Sequence, residues 1–450
     1  MEKLSKTEIL KKYILEQAAS GNINSGQRLL SCRKAAALLE VNKITVNRAY
    51  EQLEQEHLVY SVPRGGYYWV GCEEQKVRCQ IVDFAVIKPD ERLIPYREFT
   101  HVINRAIDLY KNKVFGYEAT AGLPSFRNAL KILFEKGGVY TSPDRILVTN
   151  GAQQAIFLAL HSIFDNRKGK LLVEVPSYNL AIQMAESMGI SLAGIRRDIK
   201  GYNFRELEQI FKSDDICAFY LIPRFQNPTG YSLTEKEKQK IVELCSRYNV
   251  LILEDDFLAD LGSGSGELPI HYYDTDDRTF YVRSFSKTFM PGIRIGALIL
   301  PEQFAEQTVM CKRLDDLNTS ALPQAALELF LKAGMYEKHI EKIKKAYQEK
   351  MEKSRNILGS LCPEEISWYV PKNGFFLCMN FQNQMDPVRL KADLEQHGIL
   401  IRTAEENFLR ATDKNGGKYF LSLCIANVPL ERIDALADVI FAVKNQLQLT

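Results

Sequence analysis

No run of eighteen apolar residues occurs anywhere in this 450-residue chain, so no segment reads as a bilayer-spanning helix. Lys3, Lys6, Lys11 and Lys12 have no continuous apolar core behind them, which argues against a signal peptide. The expectation is a cytoplasmic protein without a membrane partner. Nine cysteines, scattered from Cys32 to Cys424, form no CxxC pair and no cluster with histidine. Neither a disulfide framework nor a metal site is therefore expected, and the thiols read as buried and reduced. Charge of one sign is also lacking, since the net value is only +2. Divided by position, residues 1–70 carry ten basic and seven acidic side chains, and the remainder is close to neutral at −1. Such a bias permits nucleic-acid contact by the first segment without establishing it. What is present, 46% apolar and 25% charged residues over a length too great for one core, is the balance of a globular protein with two or more domains.

Ile9, Tyr13, Ile14 and Ala18 recur at helical spacing within residues 5–20, and Gly21 follows where a helix favours a terminal glycine. Ser31 can cap a second helix over residues 33–40, with Ala36, Ala37 and Leu39 as small apolar contacts. A third helix, 43–57, places Val46, Ala49, Tyr50 and Leu53 on one face. Lys43, Thr45, Asn47 and Arg48 stay near its N-terminal end, the end that a recognition helix inserts into the major groove. Residues 58–61 and 67–70 are β-rich runs joined through Val62-Pro63-Arg64-Gly65-Gly66, a hairpin signal. Three helices followed by a hairpin make a winged helix, although a purely structural cap would have the same order. The runs Leu30-Ser31-Cys32-Arg33, residues 38–53 and Arg64-Gly65-Gly66-Tyr67-Tyr68 closely resemble the DNA-binding domain of the GntR superfamily. That resemblance implies contacts with double-stranded operator DNA from Arg33, from Lys43, Thr45, Asn47 and Arg48, and from Arg64 and Gly66 of the wing. Leu30 stands where relatives usually have proline, and Asn42-Lys43 where a serine-arginine pair is common, so the operator sequence does not follow.

Residues 72–80 carry Glu73, Glu74, Lys76 and Arg78 without an apolar period, which marks a linker between a domain at 1–71 and another at 81–450. Nine residues span roughly 30 Å at most, so the two domains sit close or the first reaches a neighbouring subunit. Beyond the linker, helical stretches (96–111, 122–136) alternate with short apolar runs (145–149, 171–175, 219–222, 251–255), the pattern of an α/β domain with a mainly parallel sheet. In such a domain ligands lie beyond the carboxyl ends of the strands. The residues there are Asn150-Gly151-Ala152-Gln153-Gln154 entering a helix, Pro176-Ser177-Tyr178, the run from Pro223 through Asn227-Pro228-Thr229-Gly230, and Asp255-Asp256. A fifth element, Ser284-Phe285-Ser286-Lys287 through Arg294-Ile295-Gly296, gathers hydroxyls, a lysine and an arginine beside glycines. Singly these are a solvated lysine, a helix-capping aspartate and a good turn. The glycine run 262–266 lacks both the GKS/T ending and the GxGxxG spacing and reads as a surface turn.

In order and spacing these motifs resemble fold type I pyridoxal-phosphate enzymes of the class I aminotransferase family over nearly all of residues 81–450. The resemblance implies pyridoxal 5'-phosphate as cofactor, with Lys287 as the catalytic Schiff-base lysine. It also implies that Asp255 pairs with the ring nitrogen, Asn227 bonds the ring hydroxyl and Tyr178 stacks on the ring. Gly151, Ala152, Gln153, Ser284, Ser286 and Arg294 would hold the phosphate, and Tyr117 sits where relatives lend a tyrosine across a dimer interface. A winged helix ahead of such a domain resembles the MocR branch of the GntR superfamily, which implies a transcription regulator and a domain-swapped, head-to-tail homodimer. Its effector would be pyridoxal phosphate itself or a small amine, amino acid or dipeptide. The competing class is a working aminotransferase with an appended DNA-binding domain. Two departures bear on that choice: Phe257 replaces a tyrosine, and Ser422 stands at about the place of the arginine that grips a substrate carboxylate. Ordinary amino-acid transamination is therefore not expected, unless Arg224, Arg402 or Arg410 substitutes.

Overall fold

The computed structural model describes residues 6–19, 22–24, 26–38, 41–55, 58–62, 65–70, 81–117, 119–165, 167–213, 215–262, 267–409, 413 and 415–449. The chain divides into two compact units, Met1–Ile81 and Val82–Thr450. The linker expected at 72–80 lies outside the described residues, as do Leu39, Glu40, His57, Arg64 and the glycine-rich run from 263 to 266.

In the smaller unit, helices α1 (Lys6–Ala19), α2 (Cys32–Leu38) and α3 (Lys43–Gln55) precede an antiparallel hairpin of β1 (Val59–Val62) and β2 (Gly66–Trp69). Leu10 and Ile14 of α1, Ala35 of α2, and Val46, Ala49, Tyr50 and Leu53 of α3 bury together with Val59 and Trp69 of the wing. The helical period seen in the sequence thus selects the packed face. One expectation changes: Ala37 is exposed and Ala35 makes the close contact, because a helix this short turns one narrow stripe toward its neighbours. The Ser31 hydroxyl accepts from the Lys34 amide at 3.3 Å. The Tyr50 hydroxyl donates to the Leu30 carbonyl at 2.7 Å, tying α3 to the strap before α2.

The larger unit opens with β3 (Val82–Asp83) and then builds eight strands: β4 (Ile146–Thr149), β5 (Lys170–Val175), β6 (Ser191–Asp198), β7 (Gly201–Tyr202), β8 (Ile216–Leu221), β9 (Leu251–Asp256), β10 (Thr279–Ser284) and β11 (Gly296–Ile299). They form one sheet in the order β4-β11-β10-β9-β8-β5-β6-β7. The pairs from β10 to β6 are parallel, whereas β11 is antiparallel to both its neighbours and β7 to β6. Every residue of β4, β9, β10 and β11 is buried, as expected of strands covered on both faces. A second sheet pairs β12 (Ile366–Tyr369), β13 (Phe376–Phe381) and β15 (Phe420–Cys424), while β14 (Ile399–Leu400) runs parallel to β3. Four of the seven described cysteines, Cys32, Cys217, Cys311 and Cys362, are half-buried rather than buried. Among the described residues no helix is long and apolar enough to cross a membrane.

Candidate functional site

The carboxyl ends of β4, β5, β8, β9 and β10 open on a cavity of about 510 Å³. Its wall includes Ala152 and Gln153 after β4, Tyr178 after β5, Asn227 after β8, Asp255 in β9, and Ser284, Ser286 and Lys287 at the end of β10, with Arg294 beyond. Parallel strands deliver these side chains to one edge of the sheet although they are 142 residues apart in sequence at the extremes.

One end of the cavity is built for an anion. Gly151 (φ +84) precedes the helix Ala152–Phe164, and the Arg294 guanidinium donates to the Asn150 carbonyl at 3.0 Å above that helix start. A β-carbon on Gly151 would come within 2.9 Å of Arg294 Nη2 and would push the guanidinium aside, while the positive φ of +84 itself favours glycine. Free first-turn amides, the positive helix end and a forked cation are together the donor set of a phosphate. Ser284 and Ser286 are buried nearby, with the Ser286 amide donating to Ser284 Oγ at 3.2 Å.

At the floor stands Asp255. Tyr220 donates its hydroxyl to Asp255 Oδ2 at 2.9 Å, while the buried Oδ1 has no partner. An orphaned carboxylate oxygen aimed at a polar ligand position fits a pyridinium nitrogen. Burial raises this carboxyl to about 7, against the Tyr220 hydrogen bond and with help from Asp256 and Glu174. Lys287 Nζ donates to the Ile87 carbonyl at 2.6 Å, and burial foremost, then Arg294, lowers its pKa, with Cys424 opposing. The amine is thereby brought toward its nucleophilic form. Tyr178 is half-buried, with Gln153 Nε2 donating to its hydroxyl at 3.4 Å. Phe257 lines the wall as expected. The residues therefore fit pyridoxal phosphate at both its phosphate and its ring-nitrogen ends.

Because the folded-state pKa of Asp255 lies above that of an unfolded carboxylate, the proton favours the fold. The contribution is complete below about pH 4 and is lost as pH rises to about 7. Urea unfolding of the cofactor-free protein across this window should show wild type losing on the order of 4 kcal/mol more than Asp255→Asn. Parallel pH profiles of the two proteins would contradict it.

Tyr117 is 88% exposed and does not line this cavity within its own chain. Of the three arginines named as substitutes at Ser422, Arg224 is buried and paired with Asp256, and Arg410 lies outside the described residues. Arg402 lines the cavity. Sequence reasoning does not find Tyr220, whose only signal is a hydroxyl within an apolar strand. Nor does it find Ala85, Val86 and Ile87, where a backbone carbonyl acts and the side chains carry no signal.

On the smaller unit, Arg33, Lys43 and Arg48 are exposed, Thr45, Asn47 and Gly66 are half-buried, and Arg64 is outside the described residues. Arg28, unmarked by any motif, bridges to Tyr68 of the wing and lies 3.3 Å from where a Gly66 β-carbon would stand.

The family model for class I and II aminotransferases matches residues 91–440. The chain is 36% identical to the uncharacterized HTH-type transcriptional regulator YcxD of Bacillus subtilis, covering 94% of this chain and 96% of that one. It is 27% identical to the uncharacterized HTH-type transcriptional regulator YdcR of Escherichia coli, covering 93% and 94%. Among solved structures, kynurenine aminotransferase of Pyrococcus horikoshii aligns with a TM-score of 0.74 at 26% identity, covering 82% of this chain and 93% of that chain.

Proposed function

The chain belongs to the MocR-type regulators, GntR-superfamily helix-turn-helix proteins joined to a class I and II aminotransferase domain, and from that premise we propose that it is a transcription regulator controlled by pyridoxal 5'-phosphate. Residues 1–71 bind operator DNA. Residues 81–450 hold the cofactor, alone or with a small amine, amino acid or dipeptide effector. The observation that supports this reading is the convergence of Lys287, Asp255, Asn227, Tyr178 and Arg294 on one cavity, in a chain whose first unit presents the exposed basic end of α3.

The cofactor, when bound, supplies an aldehyde that condenses with amines and a ring that withdraws electrons. Lys287 would hold the aldehyde end, and burial, which lowers its pKa, would favour the neutral amine that this needs. Asp255 Oδ1 would pair with the ring nitrogen, Asn227 would bond the ring hydroxyl and Tyr178 would cover the ring face. Arg294, the Ser284 and Ser286 hydroxyls and the helix start at Gly151, Ala152 and Gln153 would hold the phosphate. A free amine entering the cavity would compete with Lys287 for the same group, so the state of this lysine would report the effector. Two copies joined head to tail would let Tyr117 complete the partner's cavity, and a linker of nine residues, reaching roughly 30 Å, is compatible with that exchange.

The test is the absorption spectrum of the cofactor-loaded protein during titration with single amines and amino acids. A regulator gives a visible band that shifts with one ligand class and returns on its removal, with no oxo acid formed. Steady release of an oxo acid would favour the second reading, an aminotransferase, which the retained cofactor set keeps in play.

DNA binding has its own signature. Against a duplex selected from a random pool, Arg33→Ala and Lys43→Ala should each weaken binding. Each should also flatten the slope of log affinity against log salt by about 0.9 for every phosphate that is no longer neutralised. Unchanged slopes in both variants would remove α2 and α3 from the interface.

A further inference from the structure

The parallel pairing of β14 with β3 does more than close the edge of the second unit. Val82 donates to the Gly398 carbonyl at 2.8 Å and Phe84 to the Leu400 carbonyl at 2.9 Å. The chain thus leaves both strands side by side and brings Ala85–Ile87 and Arg402 into the same cavity wall. Ile87 is the residue whose carbonyl takes the Lys287 amine.

Arg402 also walls a small void of about 20 Å³ together with Ser422, Asn227, Pro228 and Phe376. Ser422 Oγ turns away to the Pro228 carbonyl at 2.5 Å. Where the resemblance places an arginine in relatives, this chain thus has a short hydroxyl and a gap, and a cation from another loop lines the same gap.

Arg402 is loosely held. Among the described residues its one ion pair is at 3.6 Å to Glu406, whose carboxylate is well exposed and also accepts from Asn179 at 3.0 Å. Arg224 offers a contrast, since Asp256 engages both Nε and Nη2 of its guanidinium.

Among the described residues the charges lining the cavity are three cations, Lys287, Arg294 and Arg402, and one carboxylate, Asp255. On the regulator reading, a phosphate engages Arg294, the ring nitrogen engages Asp255 and the aldehyde engages Lys287. Arg402 is then the cavity-lining cation left without a counter-ion from the cofactor.

We propose that Arg402 is the anion-recognition residue for the effector, and that the effector is an amine carrying a carboxylate, bound through the Arg402 guanidinium in place of an arginine at position 422. This deepens the regulator reading and rests on it.

The test compares amino acids with their decarboxylated amines, glycine with methylamine and L-alanine with ethylamine, extended to the other standard amino acids. The readout is the concentration that half-shifts the absorption band of cofactor-loaded protein. Wild type should respond to at least one amino acid about tenfold or more below its matched amine, as a charge-assisted pair predicts. Arg402→Gln should raise that amino acid's half-shift concentration by about tenfold to a hundredfold and erase the preference, leaving the amine's value in place. Arg402→Lys, which keeps the charge and loses the fork, should fall between. The proposal is overturned if no amino acid outperforms its amine in wild type, or if Arg402→Gln keeps the preference. A wild-type protein that forms no band with the cofactor would instead remove the regulator reading beneath it, a result separable from either of these.

Discussion

Lys287→Ala should form no visible band with pyridoxal phosphate and should lose the cofactor on dialysis, where wild type retains it. The expectation rests on position as much as on residue type. Lys287 follows closely on the end of β10, where its amine is buried and donates to the Ile87 carbonyl. Among the described residues no other lysine lines the cavity, so none of them offers a second amine to replace it. Truncation leaves the strand and the wall in place, because the side chain projects into space rather than into a packed core, and Ile87 lines the same space. The variant should therefore unfold in urea at the same midpoint as cofactor-free wild type. Retention of the band in the variant would remove Lys287 from the role assigned to it.

One residue past Asp255, Asp256→Ala should cost about 3–5 kcal/mol of stability, the penalty for uncovering a buried charge. Successive side chains of a strand point to opposite faces, so Asp255 meets the cavity while Asp256 meets Arg224 and Tyr281. Arg224 donates to it from Nε at 3.1 Å and also from Nη2, and the Tyr281 hydroxyl donates at 2.6 Å. Burial opposes ionisation of Asp256, but Arg224, with Arg283 behind it, holds its pKa below the usual carboxylate range. On the same face as Asp256, Glu254 accepts from the amides of Ile270 and His271 at 2.8 Å each, and burial together with Asp256 pushes it up to about 8. Removing Asp256 leaves a guanidinium, 4% exposed as a residue, without its counter-ion. Urea unfolding of the larger unit at pH 7 reads this directly, and Asp255→Asn is the contrast, since removing a carboxyl whose proton is costly to give up in the fold should stabilise rather than destabilise there. A loss under about 1 kcal/mol for Asp256→Ala would show that the pair contributes orientation rather than stability.

Much of this architecture is legible from period and spacing. The apolar faces of α1 and α3 follow from residues three and four apart, and the strands β4, β5, β8 and β9 from short apolar runs followed by polar turns. The anion end is visible as well, because glycine before a helix and an arginine close behind a lysine are local features. Ala35 rather than Ala37 takes the core position in α2, and a seven-residue helix gives too little period to choose between them. Tyr220 escapes recognition because its partner Asp255 is 35 residues away and becomes a neighbour only when β8 pairs with β9.

By itself the sequence, through its resemblance to the aminotransferases, singled out Lys287, Asp255, Asn227, Tyr178 and Arg294, which the fold brings to one cavity. Only the tertiary structure decided between Arg224 and Arg402: both are arginines in loops, and nothing local distinguishes a guanidinium consumed by a buried aspartate from one facing a cavity. That choice depends on strand pairing between residues more than 300 apart, and on charge neutralisation across the sheet. Both are properties of which segments meet in space, which local spacing does not encode.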